Sequence, residues 1–118
     1  MKSKTMEIRR GDVFLANLDP VMGHEQGGRR PVVVVQNDAV NPILDTVLVA
    51  PLTANLQATD FLLTATLPAS ETGLARDSVA LLFQIRTLDK RRLERKLSHL
   101  SEQFLRQINA AIRLAFDI

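Results

Sequence analysis

The chain contains no cysteine, tryptophan or tyrosine, and only two histidines in 118 residues. The absence of cysteine excludes disulfides and thiolate metal centres, which fits a reducing compartment. His24 and His99 lie far apart, with no carboxylate cluster to join them, so neither a transition-metal site nor a cofactor is expected. With five phenylalanines as the only aromatics, stacking platforms are scarce, which counts against a module that merely binds single strands. No stretch approaches the roughly 18–20 apolar residues of a membrane span. The opening MKSKTMEIRRGD has no apolar run of signal-peptide length. The expectation is a cytoplasmic protein, neither secreted nor embedded in a membrane. GxxxxGK[ST] and GxGxxG are both missing, and so is any βαβ alternation, which argues against a nucleotide-binding doubly wound fold. A net charge of +2 says little about partners.

What is present fits one domain spanning 1–118. Apolar residues make up 46% of the chain, ordinary for a globular protein. Asp12 to Leu18 alternates in the manner of a strand, and Val32 to Val35 is a buried β-branched run. Thr46 to Thr53, Asp60 to Leu67 and Ser78 to Thr87 read as further strands, with a turn from Pro68 to Gly73. From the N-cap candidate Ser101, with Glu102 in the first turn, Phe104, Ile108, Ala111, Ile112 and Ala115 recur at helical spacing. Five or six short strands and a C-terminal amphipathic helix predict a mainly β fold, a small curved sheet or barrel with helical cover.

The segment GHEQGGRRP, Gly23 to Pro31, sets His24, Glu25, Gln26, Arg29 and Arg30 between two strands, with Gly27 and Gly28 permitting tight turns. It is either an anion site or a solvated loop. Arg30, fixed before Pro31 and a valine strand, can grip a phosphate through two parallel hydrogen bonds, or it can pair with Glu25 or another acid. Thr53 ends its strand with a hydroxyl able to donate to phosphate, although most such threonines are structural. Gln84 and Arg86 share a face of the last predicted strand; they line a groove or satisfy buried backbone. Five of the fifteen basic residues fall between Lys90 and Lys96, as a solvated surface or an electrostatic track for nucleic acid. His99, between Leu97 and Leu100, reads as a structural or surface residue. Positioned arginine, glutamate and hydroxyl groups suit RNA phosphodiester cleavage, in which the 2′-hydroxyl is a nucleophile already present in the substrate.

Arg9 to Asp38 (RRGDVFLANLDPVMGHEQGGRRPVVVVQND), VAPLT from Val49 to Thr53 and RDSVALLFQIRTLDKRRL from Arg76 to Leu93 resemble the MazF/PemK toxins of bacterial toxin–antitoxin systems. The resemblance implies an SH3-like, PemK-type barrel and a homodimer. It implies ribosome-independent, sequence-specific and metal-independent cleavage of single-stranded mRNA, leaving 2′,3′-cyclic phosphate and 5′-hydroxyl ends. It also implies an antitoxin partner that covers the RNA groove and forms a DNA-binding complex with the toxin. By position, Arg30 and Thr53 match the catalytic arginine and threonine of the family, and Glu25 matches a glutamate used by some relatives. His24, Gln26, Phe61, Ser78, Gln84 and Arg86 match RNA-binding positions. Some relatives carry a carboxylate where this chain has Phe83, which moves the burden of base catalysis to the Gly23–Pro31 loop. A different expectation for the same barrel is a non-catalytic toxin acting by protein binding, as gyrase poisons do.

Overall fold

The computed structural model describes residues 6–60 and 63–118. Seven strands, all paired antiparallel, form the sheet: β1 (Asp12–Asn17), β2 (Arg29–Val34), β3 (Thr46–Thr53), β4 (Thr64–Leu67), β5 (Ser78–Leu81), β6 (Arg86–Asp89) and β7 (Leu93–His99). Their order is β4-β5-β3-β2-β1-β7, with β6 also pairing β3. The path ends at β4 and β7, which do not pair with each other among the described residues, so the mainly β fold is an open sheet and not a closed barrel. A short helix α1 (Ala69–Thr72) and the C-terminal helix α2 (Glu102–Phe116) complete the chain.

Alternation along the strands builds two cores, one on each face of the sheet. Val13, Val33, Ala50, Leu52, Leu67 and Ala80 join Ile108 and Ala111 of α2, with Phe104 and Ile112 packed alongside. Phe14, Ala16, Val32, Val34, Val49 and Leu88 form the opposite core. Because both faces are covered, the central valine run is continuously apolar. Ser101 occupies the N-cap position, but its side chain makes no capping bond. Its backbone N–H instead donates to Glu71 Oε1 at 2.8 Å, tying α2 to α1.

Three sequence expectations need correction. Ser78 to Thr87 is not one strand: Leu52 pairs with Ala80 and Val49 with Arg86, so three steps along β3 (52 − 49) face six along its partner (86 − 80). The three extra residues, Leu82–Gln84, are extruded as a 3₁₀ turn, and Gln84 and Arg86 therefore do not share a strand face. The strand expected from Asp60 begins only at Thr64, after a 3₁₀ turn at Leu56–Asp60. Finally, the basic segment is divided: Lys90–Arg92 form a 3₁₀ turn and Arg95 and Lys96 lie in β7. β7 pairs along β1, and as an edge strand carrying Glu94, Arg95 and Lys96 it shows little apolar signal.

Most of that basic segment is engaged within the protein. Lys90 donates to the Asn41 carbonyl and Arg92 to those of Asn17 and Asp19. Arg91 pairs with Asp89 at 2.9 Å, and this hydrogen bond lowers the Asp89 carboxyl to a pKa of about 2. Lys96 reaches the buried carboxylate of Asp12 at 3.0 Å, where His99 Nδ1 lies at 2.8 Å from the other oxygen. The Arg9 N–H donates to Asp12 at 2.8 Å. His99 is thus structural. Asp12→Asn keeps the volume but loses the charge that holds β7 to β1, and is expected to cost about 1–3 kcal/mol. An unchanged urea midpoint would remove the trio from the fold's stability.

Candidate active site

The loop between β1 and β2 is held from several directions. Leu18 N–H donates to the Gly28 carbonyl at 3.0 Å, and Gly28 N–H donates to Asp19 Oδ1 at 2.8 Å. Gly28 has a φ of +73°, a region that glycine enters without strain. At Gly27 a Cβ would lie 2.7 Å from Val21 Cγ2, so only glycine permits this close approach. Glu25 Oε1 accepts the Met22 N–H at 2.8 Å, folding the exposed carboxylate back on its own turn.

The extruded turn after β5 supplies a second anchor. Gln84 Oε1 accepts from Gln26 N–H at 3.0 Å, and its Nε2 donates to the His24 carbonyl at 3.4 Å. Arg86 Nη1 donates to the Leu18 carbonyl at 3.0 Å. Both side chains satisfy backbone groups and brace the loop, and Gln84 also lines the larger of the hollows described below.

The paired arginines differ. Arg29 lies exposed, with Nε against both oxygens of Glu94 at 2.9 and 3.0 Å, and this hydrogen bond raises its pKa further. Arg30 is half-buried; its Nε donates to the Gly27 carbonyl and its Nη1 to the Leu52 carbonyl, both at 3.3 Å. Among the described residues Arg30 has no acidic partner, and the alternative of an ion pair with Glu25 is not formed. Two long bonds to neutral carbonyls orient the guanidinium without neutralising it, and the rest of its fork stays uncommitted.

The β2–β3 register, Val32 to Pro51, brings Arg30 beside the end of β3, where its Nη1 bonds the residue preceding Thr53. Thr53 Oγ1 accepts the Asn55 N–H at 3.2 Å, which leaves its own hydrogen free to donate. Two separate hollows draw on this strand end and share no lining residue. One, of about 290 Å³, is lined by Arg29, Arg30, Leu52, Ala54, Arg76 and Ser78. The other, of about 480 Å³, has Gln26, Thr53, Asn55, Gln57, Phe83 and Gln84 among its walls.

Of the predicted residues, Arg30 and Ser78 line the smaller hollow and Gln26, Thr53 and Gln84 the larger, although Ser78 is almost wholly buried (3% exposed). His24 and Glu25 sit on the exposed side of the loop, Arg86 lies behind it, and Phe61 falls outside the described residues. Reading the sequence missed Asn55, Gln57 and Arg76. They sit in connections without periodicity, and only the pairing of β5 with β3 brings these connections to the site. Among the described residues no group of three or more His, Asp or Glu side chains is placed to hold a metal. No helix is long and apolar enough to cross a membrane, which says nothing of a β-barrel.

Known proteins resemble this chain in sequence and fold. A 46% identical relative over 111 residues, covering 94% of this chain and 92% of its own length, is an endoribonuclease MazF of Staphylococcus saprophyticus. Endoribonuclease EndoA of Bacillus subtilis is 44% identical over 113 residues, 96% of this chain and 97% of that protein. The crystal structure of MazF from Deinococcus radiodurans superimposes with a TM-score of 0.82 at 28% identity, covering 97% of this chain and all of the other. The model of the PemK-like, MazF-like toxins of type II toxin–antitoxin systems matches residues 9–116. The chain belongs to the PemK-like, MazF-like toxin family.

Proposed function

We propose that the chain is the toxin of a type II toxin–antitoxin pair, a metal-independent endoribonuclease that cuts single-stranded mRNA at short sequences without the ribosome. The observation that carries this reading is Arg30: a half-buried guanidinium, oriented by two carbonyls and lacking a carboxylate, bonded to the residue before Thr53, whose hydroxyl can donate. A binding surface has no need to hold a charge uncompensated at the end of a strand. A reaction whose transition state gains negative charge on phosphorus does.

The proposed step is in-line attack. The 2′-oxygen forms a bond to phosphorus as the bond to the 5′-oxygen breaks, giving a 2′,3′-cyclic phosphate and a 5′-hydroxyl. Glu25 takes the 2′-hydroxyl proton after its carboxylate turns from the Met22 N–H, since Phe83 leaves no carboxylate on the strand side. Arg30 neutralises the phosphorane and donates to the departing 5′-oxygen, and Thr53 orients a non-bridging oxygen. His24, Gln26, Phe61, Ser78, Gln84 and Arg86 are assigned to RNA binding, with Gln84 and Arg86 acting by holding the loop in shape. The family's name supports an antitoxin partner; binding of that antitoxin to a toxin homodimer in the cytoplasm, and a DNA-binding complex of the two, complete the proposal.

Long single-stranded RNA incubated with the purified protein and EDTA tests the reading. Discrete cuts ending in cyclic phosphate are expected. Thr53→Ala should lower kcat/KM about 10- to 100-fold, the loss of one charge-assisted hydrogen bond. RNA left intact on several templates would overturn the nuclease and favour a toxin acting by protein binding. Full activity in Thr53→Ala would remove the hydroxyl from the mechanism.

A further inference from the structure

The last pair of the β1–β7 ladder is Ala16 with Leu93, so the main chain beyond Ala16 has no strand partner on that side. Arginine side chains take over there. Arg92, half-buried in the 3₁₀ turn before β7, donates from Nη1 to the carbonyls of both Asn17 and Asp19. Arg86 holds the Leu18 carbonyl between them. Three successive carbonyls at the start of the β1–β2 loop are thus fixed by two guanidiniums from outside the loop.

Asp19 carries this hold across to the returning arm of the loop. Its Oδ1 accepts the Gly28 N–H at 2.8 Å, and Leu18 N–H donates to the Gly28 carbonyl at 3.0 Å. Both backbone polar groups of Gly28 are therefore tied to the arm that the arginines fix. Gly27 lies against the same carboxylate, since a Cβ there would sit 2.9 Å from Asp19 Oδ1. The Gly27 carbonyl in turn accepts Arg30 Nε, one of the two bonds that orient that guanidinium. A glycine pair has no side chains of its own to anchor it, so this carbonyl is held in place by contacts from outside. Position passes by direct contact from Arg92 to Asp19, from Asp19 to Gly28 and Gly27, and from Gly27 to Arg30.

We infer that Arg92 and Asp19 are positioning residues of the Arg30 site. Together they clasp the base of the β1–β2 loop and hold the Gly27 carbonyl where it aims the guanidinium. Neither needs to touch RNA to do so. The inference rests on the reading of the chain as an RNA-cleaving enzyme, and it adds the device that keeps the uncompensated charge oriented.

The test measures kcat and KM on a mapped RNA, well below the thermal midpoint of each variant. Asp19→Ala removes the acceptor for Gly28 and is expected to lower kcat about 10- to 100-fold, the cost of misplacing a catalytic group by roughly an ångström. KM should stay at the parental value, as for an interaction that counts only in the transition state. Asp19→Asn keeps an oxygen in the same place and should restore most of the rate, because the bond needs an acceptor and not a charge. Arg92→Ala should lose kcat likewise, and Arg92→Lys less, since it keeps a donor without the fork. Asp19 is exposed, so its variants decide the matter if Arg92→Ala does not fold. Arg91→Ala is the control: the charge it deletes is paired with Asp89 and not with the loop, so cutting should proceed at the parental rate. The direct readout is the Arg30 Nε–H resonance, observed by NMR in isotope-labelled protein. It should shift in Asp19→Ala and Arg92→Ala and return in Asp19→Asn.

An equal loss in Asp19→Asn and Asp19→Ala would overturn the clasp, because the carboxylate charge would then be the cause. Losses in KM alone would overturn it too, as the mark of RNA contact. So would an Arg30 resonance unmoved by both alanine variants. If the parent leaves RNA intact while the resonance moves across the series, the nuclease reading fails and the clasp stands. If RNA is cut and neither rate nor resonance changes in the alanine variants, the clasp alone fails.

Discussion

Arg30→Ala is expected to lower RNA cleavage about 10²- to 10³-fold, the usual result of deleting one preorganised stabiliser of transition-state charge. The fold should survive, because the guanidinium makes only two 3.3 Å bonds to carbonyls and belongs to neither core cluster. Arg30→Lys keeps the charge but not the planar fork and should fall between the two. The neighbouring Arg29→Ala is the internal control. Its charge is already matched by Glu94 in an exposed pair, and such pairs contribute little, so cleavage should stay near the parental rate. Single-turnover assays on a mapped RNA, with thermal melts of each variant, check all three. Equal losses at Arg29 and Arg30 would mean that generic positive charge, and not the oriented guanidinium, supports the reaction.

The second large effect concerns stability. Phe14 is fully buried among Ala16, Leu18, Val32, Val34, Val49 and Leu88, with Lys96 Nζ 5.6 Å from its ring centre. Phe14→Ala opens a cavity that strands on both sides, fixed by hydrogen bonds, cannot close. A loss of about 3–5 kcal/mol is expected, with a fall in Tm of roughly 10 °C or more. Phe14→Leu refills most of the volume but forfeits the cation–π contact and should lose distinctly less. The Lys96 ammonium bridges this ring and the Asp12 carboxylate, so losses in a Phe14→Ala, Asp12→Asn double variant should not simply add. Urea denaturation of the singles and the double measures the coupling, and strict additivity would show that Lys96 does not join the two.

Much of the fold was legible along the chain. The alternation at Asp12 to Leu18 put Val13 on one face and Phe14 and Ala16 on the other, as found. The helical spacing of Phe104, Ile108, Ala111 and Ile112 marked the face of α2 that packs on the core. Both are short-range patterns, in which one buried face dictates residue type at a fixed period. β7 was missed because an edge strand has solvent on one side and charges along it. Its apolar content falls below what periodicity detects, and its pairing with β1 is a contact between distant residues. Gln84 and Arg86 were misassigned to one strand face for a related reason. A three-residue extrusion is set by register against β3 and leaves no mark in local composition.

For the site, residue chemistry offered Arg30 and Thr53 only as candidates, a fixed arginine before a valine strand and a hydroxyl at a strand end, and the resemblance to the toxin family singled them out. The sequence could not choose between a free guanidinium and one paired with Glu25, nor say which of two adjacent arginines would be neutralised. Tertiary structure decided both. Glu94 on β7 lies beside Arg29, Glu25 turns back on Met22, and Arg30 is left with carbonyls only. Charge state and hydrogen-bonding type belong to each residue and are written in the chain, whereas compensation of charge depends on which distant strand lies alongside. That dependence also applies to the larger hollow: Phe83 and Gln57 are ordinary residues of two unremarkable turns until β3 and β5 pair and set them on its walls.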